Sequence, residues 1–271
     1  MREGDRLRRR YCRNPSTRKQ AVSELADVLQ RLLRDGRRTL AGFDFPNAYP
    51  KGFAKKAGFH GPAWRAVWDG LAALAEDGPD NANNRFAVGE ELNRRLSGSD
   101  YPFWGHPHQH SYAHLPPKPA ATPEQAGLPA RRLCEAYLPQ TKTCWQLAYN
   151  GSVGGQALLG IPAQRALRHH PALAADTRVW PFETGLAARQ DGRIILAEVY
   201  PSILPVSPKP GEVKDALQVC TTARAFARRD RDGLLAKDLA GPDDLSLAER
   251  RLVEREEGWI LGAGTFRGAR Q

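Results

Sequence analysis

Cysteine is scarce: Cys12, Cys134, Cys144 and Cys220 are the only four in 271 residues, and no two form a CxxC pair. This argues against both a zinc ribbon and a disulfide framework and suits a reducing cytoplasm. No apolar run approaches the ~18 residues of a membrane span. The basic N-terminus also lacks the apolar segment of a signal peptide. Apolar residues make up 41% of the chain, enough to bury a real core and to exclude the disordered classes, so one large domain with insertions is expected.

What is abundant is positive charge. Forty Lys and Arg against thirty Asp and Glu leave a formal charge of +10, which favours anionic partners such as nucleic acid or a nucleotide. Residues 1–13 carry Arg2, Arg6, Arg8, Arg9, Arg10 and Arg13 with almost nothing apolar, and read as a solvated basic arm. Asn14 to Thr17 then supply capping groups for a helix with Val22, Leu25, Ala26, Leu29, Leu32 and Leu33 on one face, ended by Asp35-Gly36.

Two apolar strands stop on acids. Thr39 to Phe43 precedes Asp44, at the edge where α/β folds place ligands. Ile194 to Tyr200 carries Glu198 near its exit and is stopped by Pro201. A Pro-rich loop then leads to a helix in which Val213, Ala216, Leu217, Cys220, Ala223, Phe226 and Ala227 predict a core-packed stripe, with Asp215 in the first turn. A strand end and the following helix start can bring acids together around a divalent metal. An acid in a first helical turn also has a plain role against the macrodipole.

Between these segments, Ala63 to Glu76, Phe86 to Leu96, Arg131 to Leu138 and Ala157 to Leu167 read as helices, and residues 77–130 as a loop-rich insertion. His106, His108, His110 and His114 invite a metal reading, but no second cluster completes a site. Gly154-Gly155 can present N–H groups to an anion, although the lysine of a P-loop is missing. Val179 to Thr184 is a further apolar stop, carrying Glu183, and Gln190 to Arg193 reads as a hairpin into the Glu198 strand. The final helices, from about Leu245 to Glu257, are strongly charged, and the Gly-rich tail from Gly262 is expected to fray.

Taken together, Gly42 to Pro46 (GFDFP), Ala197 to Ser202 (AEVYPS) and Val213 to Val219 (VKDALQV) resemble the bacterial family of predicted RNase H-like nucleases. The branch often labelled molybdopterin-guanine dinucleotide or cobalamin biosynthesis proteins is the more similar, with Arg18, Ser152 to Gln156 and Trp180 to Thr184 extending the resemblance over residues 14–230. The resemblance implies an α/β, RNase H-like mixed sheet of five strands flanked by helices. It also implies Mg²⁺ or Mn²⁺ held by Asp44, Glu198 and Asp215, with Glu183 in reserve, and metal-assisted phosphodiester cleavage. On this reading residues 14–240 form the domain and residues 241–271 a helical tail.

Family members begin with a strand bearing an acid and a hairpin, where this chain has only the Arg-rich arm. The first strands are therefore expected to be missing, the site to be one acid short, and the nuclease to be weak or inactive. An uncovered sheet edge would follow, and with it a homo-oligomer. The alternative is a non-catalytic nucleotide-binding or accessory protein linked to molybdenum-cofactor metabolism.

Overall fold

The computed structural model describes residues 2–3, 6–7 and 12–266. Strands β1 (Arg2–Glu3) and β2 (Arg6–Leu7) pair antiparallel; the rest of the predicted basic arm up to residue 11 lies outside the described residues. Then follow α1 (Arg18–Arg34), β3 (Thr39–Phe43), α2 (Phe53–Lys56), α3 (Ala63–Leu74), α4 (Arg85–Leu96), α5 (Leu133–Ala136) and α6 (Gly154–Arg168). Strands β4 (Thr177–Val179) and β5 (Ile194–Glu198) precede α7 (Lys214–Arg231), α8 (Leu235–Ala240) and α9 (Leu247–Leu252), which continues into a π-helical turn, Val253–Glu257.

The main sheet has three strands in the order β3-β5-β4, all parallel. A mixed five-stranded sheet is thus not what the described residues form. Gln190 to Arg193 is not a hairpin either: β4 and β5 run the same way, and the chain from Trp180 to Arg193 carries the crossover that parallel neighbours require. β5 is buried at every position, as the central strand of a parallel sheet should be.

Strand alternation sends Ile194 and Leu196 to one face and Ile195 and Ala197 to the other, and each set seeds its own core. The first core gathers Leu29 of α1, Trp68 and Leu71 of α3, Leu92 of α4 and Ile161 of α6. α1 begins as its sequence requires, with the Thr17 hydroxyl accepting the Gln20 N–H, and buries Ala26 and Leu29. The second core gathers Cys134, Trp180, Phe226, Leu239, Val253 and Trp259.

Two expectations are corrected here. The start of the tail is packed: Trp259, Ile260, Leu261 and Ala263 are all buried and Ile260 forms a parallel bridge to Glu198, while residues 267–271 of the tail expected to fray lie outside the described residues. Burying four apolar side chains outweighs the low propensity of the surrounding glycines. In α7 only Thr222 and Phe226 are buried; of the predicted stripe Val213, just before the helix, is 68% exposed, Ala223 is exposed, and Ala216, Leu217, Cys220 and Ala227 are half-buried. The helix spans a cavity instead of sealing a core. No helix among the described residues is long and apolar enough to cross a membrane.

The glycine pair at the start of α6 serves packing. A Cβ on Gly154 would lie 2.3 Å from the Cys144 carbonyl oxygen and 2.6 Å from that of Gln146, and the Gly154 N–H already donates to Gln146. The helix start is therefore closed by backbone carbonyls, which repel an anion. Gly154→Ala is expected to lower stability by about 1–3 kcal/mol, because backbone rather than a flexible side chain must move; urea unfolding reads the change.

Candidate functional site

The parallel register decides which acids meet. Phe43 of β3 lies opposite Glu198 of β5, and residues paired in this way share a face of the sheet. Asp44 is one residue on and belongs to the other face, with Leu40 and Gly42. Asp44 and Glu198 are neighbours in space that point into different environments.

Glu198 points into a closed polar knot. Its two carboxylate oxygens accept from Arg132 Nη2 at 2.6 Å and Nη1 at 2.8 Å, and Oε2 also accepts the Asn47 N–H at 2.9 Å. The same guanidinium donates through Nε to Glu135 at 3.1 Å and through Nη1 to the Glu257 carbonyl at 3.3 Å. Glu257 in turn accepts the N–H groups of Lys51 and Leu133, each at 2.7 Å. Arg132, Glu135, Glu198 and Glu257 are each no more than 3% exposed. Burial pushes the Glu198 carboxyl above its ordinary range, against the pull of Arg132 and the Asn47 N–H.

Asp44 faces a cavity of about 810 Å³ between the sheet and α7. Its wall on the sheet side is Leu40, Ile195 and Val199; on the helix side it is Thr222, Ala223 and Phe226. Arg37, Arg38 and Arg189 line the end that adjoins the start of β3. Burial, then the charges of Glu198 and Asp215, raise the Asp44 carboxyl from 3.8 to about 6. Asp215, in the exposed first turn of α7, is thus near enough to act on Asp44.

Two buried polar atoms along this cavity have no hydrogen-bond partner, Gln190 Oε1 and Thr222 Oγ1. The Gln190 amide nitrogen donates to Ala187 O, which fixes its oxygen as the unused acceptor. A buried unpaired acceptor costs about 1–3 kcal/mol unless water or a ligand supplies a donor.

Of the four acids singled out by sequence, the structure places Asp44 on the cavity wall, Asp215 outside that wall in the exposed first turn of α7 but within electrostatic reach of Asp44, and Glu198 in the knot behind them. Glu183 is elsewhere: its carboxylate takes two bonds from Arg168, at 2.7 and 2.8 Å, and caps the Val179 N–H at 2.8 Å, holding the end of β4. The donor set does not fit a pair of divalent cations, because the Glu198 oxygens are already used by Arg132 and Asn47. The histidine segment also has local duties. His106 contacts the Pro107 carbonyl and the edge of Tyr112, His114 contacts the Ser99 carbonyl, and no metal-binding group of three ligands occurs among the described residues. Arg132, Gln190 and Thr222 carry no sequence signal; each belongs to a common residue type in an unremarkable context.

Removing the guanidinium strands two buried carboxylates. Arg132→Met is expected to cost about 3–5 kcal/mol, with much of the loss recovered in Arg132→Met/Glu198→Gln, as measured by chemical denaturation. Asp44 gives a pH signature. Its raised pKa means that the native state holds a proton the unfolded chain has released. The stability it lends is therefore full below 3.8 and lost as pH rises through about 6. Asp44→Asn is expected to match the parent near pH 4 and to exceed it near pH 8 by about 1 kcal/mol, a figure reduced for solvent screening at this partly exposed group. Melting at low protein concentration across that range checks it.

No family model, no curated protein and no solved structure matches this chain, so its functional reading rests on the geometry of this cavity.

Proposed function

We propose that the chain is a non-catalytic binding protein for a nucleotide-like anion, held in the cavity between the sheet and α7. One observation carries this reading: a cavity of about 810 Å³, with an apolar body and an arginine-lined end, contains two buried polar atoms that the protein leaves unpaired. Its size falls in the range of small-ligand sites, about 300–1,000 Å³. An apolar slot between Ile195, Val199 and Phe226 suits the flat face of a base. Arg189 suits a phosphate and has no carboxylate partner among the described residues. A hydroxyl or amino group of the ligand supplies the donor that Gln190 Oε1 lacks.

A second reading keeps the hydrolase chemistry that the resemblance implies. It is favoured by Asp44, a cavity-wall acid with no cation partner among the described residues and within electrostatic reach of Asp215, which offers a carboxylate to a single Mg²⁺ or Mn²⁺. Two-metal cleavage would further require Glu198 to leave Arg132, exposing a buried cation.

Thermal melts with a nucleoside monophosphate, the matching nucleoside and inorganic phosphate, each with and without Mg²⁺, separate these readings. A ligand at 100 times its Kd stabilises the native state by about 2.7 kcal/mol. The monophosphate is expected to raise Tm without metal, the nucleoside to do so less, and Arg189→Ala to abolish the difference. A response seen only with Mg²⁺, and lost in Asp44→Asn, would favour the hydrolase reading. No response to any ligand sinks both.

A further inference from the structure

The second unsatisfied feature of the molecule is the outer edge of β3. Thr39 donates its N–H to Arg193 of the neighbouring chain segment, and Phe43 accepts the N–H of Val199, so the odd-numbered residues of β3 bond toward β5. Alternation then turns the N–H and C=O groups of Leu40 and Gly42 outward, where no partner meets them among the described residues. The exposure pattern agrees. On the opposite edge Thr177 and Val179 of β4 are 1% and 0% exposed, while no residue of β3 is buried and Gly42 is exposed. Parallel sheets are normally covered, and an open edge is a template for another strand.

We propose that a second copy of this chain covers that edge, with β3 pairing antiparallel to its own counterpart about a two-fold axis at Ala41. The strand is self-complementary in this register and in its charges. Counting outward from Ala41, Leu40 of one copy lies opposite Gly42 of the other, and both residues present outward-facing groups. Each such pair exchanges two N–H···O bonds. The next hydrogen-bonded pair outward, beyond Thr39 and Phe43, sets Arg38 against Asp44, once at each end of the interface. Arg38 spends Nη2 on the carbonyls of Gln190 and Gly192, and no carboxylate pairs with it among the described residues. Asp44 likewise has no cation there.

A Cβ on Gly42 would come within 2.8 Å of Val199 Cγ1, so Val199 already fills the cavity face above this position. A two-fold pairing buries the same patch on both copies and closes without leaving a new free edge at the junction.

Sedimentation equilibrium over a range of concentrations, with single and swapped charge variants, tests this. Arg38→Glu and Asp44→Lys are each expected to weaken the dimer by about tenfold or more, and Arg38→Glu/Asp44→Lys to restore it. Restoration cannot arise from misfolding. Ala41 sits on the axis at a non-hydrogen-bonded pair, where Cα atoms stand about 4.5 Å apart, within disulfide reach. In a Cys12→Ser background, Ala41→Cys is therefore expected to give a covalent dimer under mild oxidation. A chain that stays monomeric at every concentration and forms no cross-link overturns the proposal. So does a dimer indifferent to both charge reversals, which would place the interface elsewhere.

Discussion

The structure depends on one buried guanidinium. Arg132 joins four stretches that are distant in sequence: its own short helix, the end of β5 at Glu198, the loop at Asn47 through that shared carboxylate, and the turn at Glu257. A charged group with under a tenth of its surface in water is costly on its own, so the acids and backbone groups around it must be present together. This makes the arrangement specific. This placement satisfies the guanidinium, two buried carboxylates and the backbone N–H groups of Asn47, Lys51 and Leu133 at once. The same knot withdraws Glu198 from solvent chemistry and leaves the neighbouring cavity to Asp44.

Parity is the second constraint. In a sheet, adjacent positions along a strand face opposite ways, so two acids at the ends of neighbouring strands converge only if their register places them on one face. Here Phe43 takes the position opposite Glu198 and Asp44 falls one place late. A difference of one residue separates an acid locked in a hydrogen-bonded knot from an acid that shares its cavity with four arginines.

Much of the fold was legible because its signals were local. The cap at Thr17, the apolar face of α1, the helix of Trp64, Trp68 and Leu71, and the β-branched run of β5 all follow from spacing within a single element. So did the position of Asp44 at a strand end. What stayed hidden depends on pairing between distant segments. The parallel course of β4 and β5 cannot be read from the turn residues at Asp191-Gly192, because the same residues end a crossover as readily as they make a hairpin. The stripe on α7 has a proper helical period, yet periodicity reports which face is apolar and not whether anything fills the space beneath it. Arg132 was one of forty cations until its partners came from positions 135, 198 and 257.

The strand order β3-β5-β4 also bears on how the chain is made. The central strand is the last of the three to be synthesised, so β3 and β4 have no strand to pair with until residues 194–198 emerge. The bonds that fasten the result reach further still, with Glu257 closing on Lys51 across 206 residues. Loop closure over such distances is entropically slow to reward, so the nascent chain carries exposed apolar strand surface for most of its synthesis. Completion of the sheet therefore has to wait for β5, whereas α1, α3, α4 and α6 are synthesised before it.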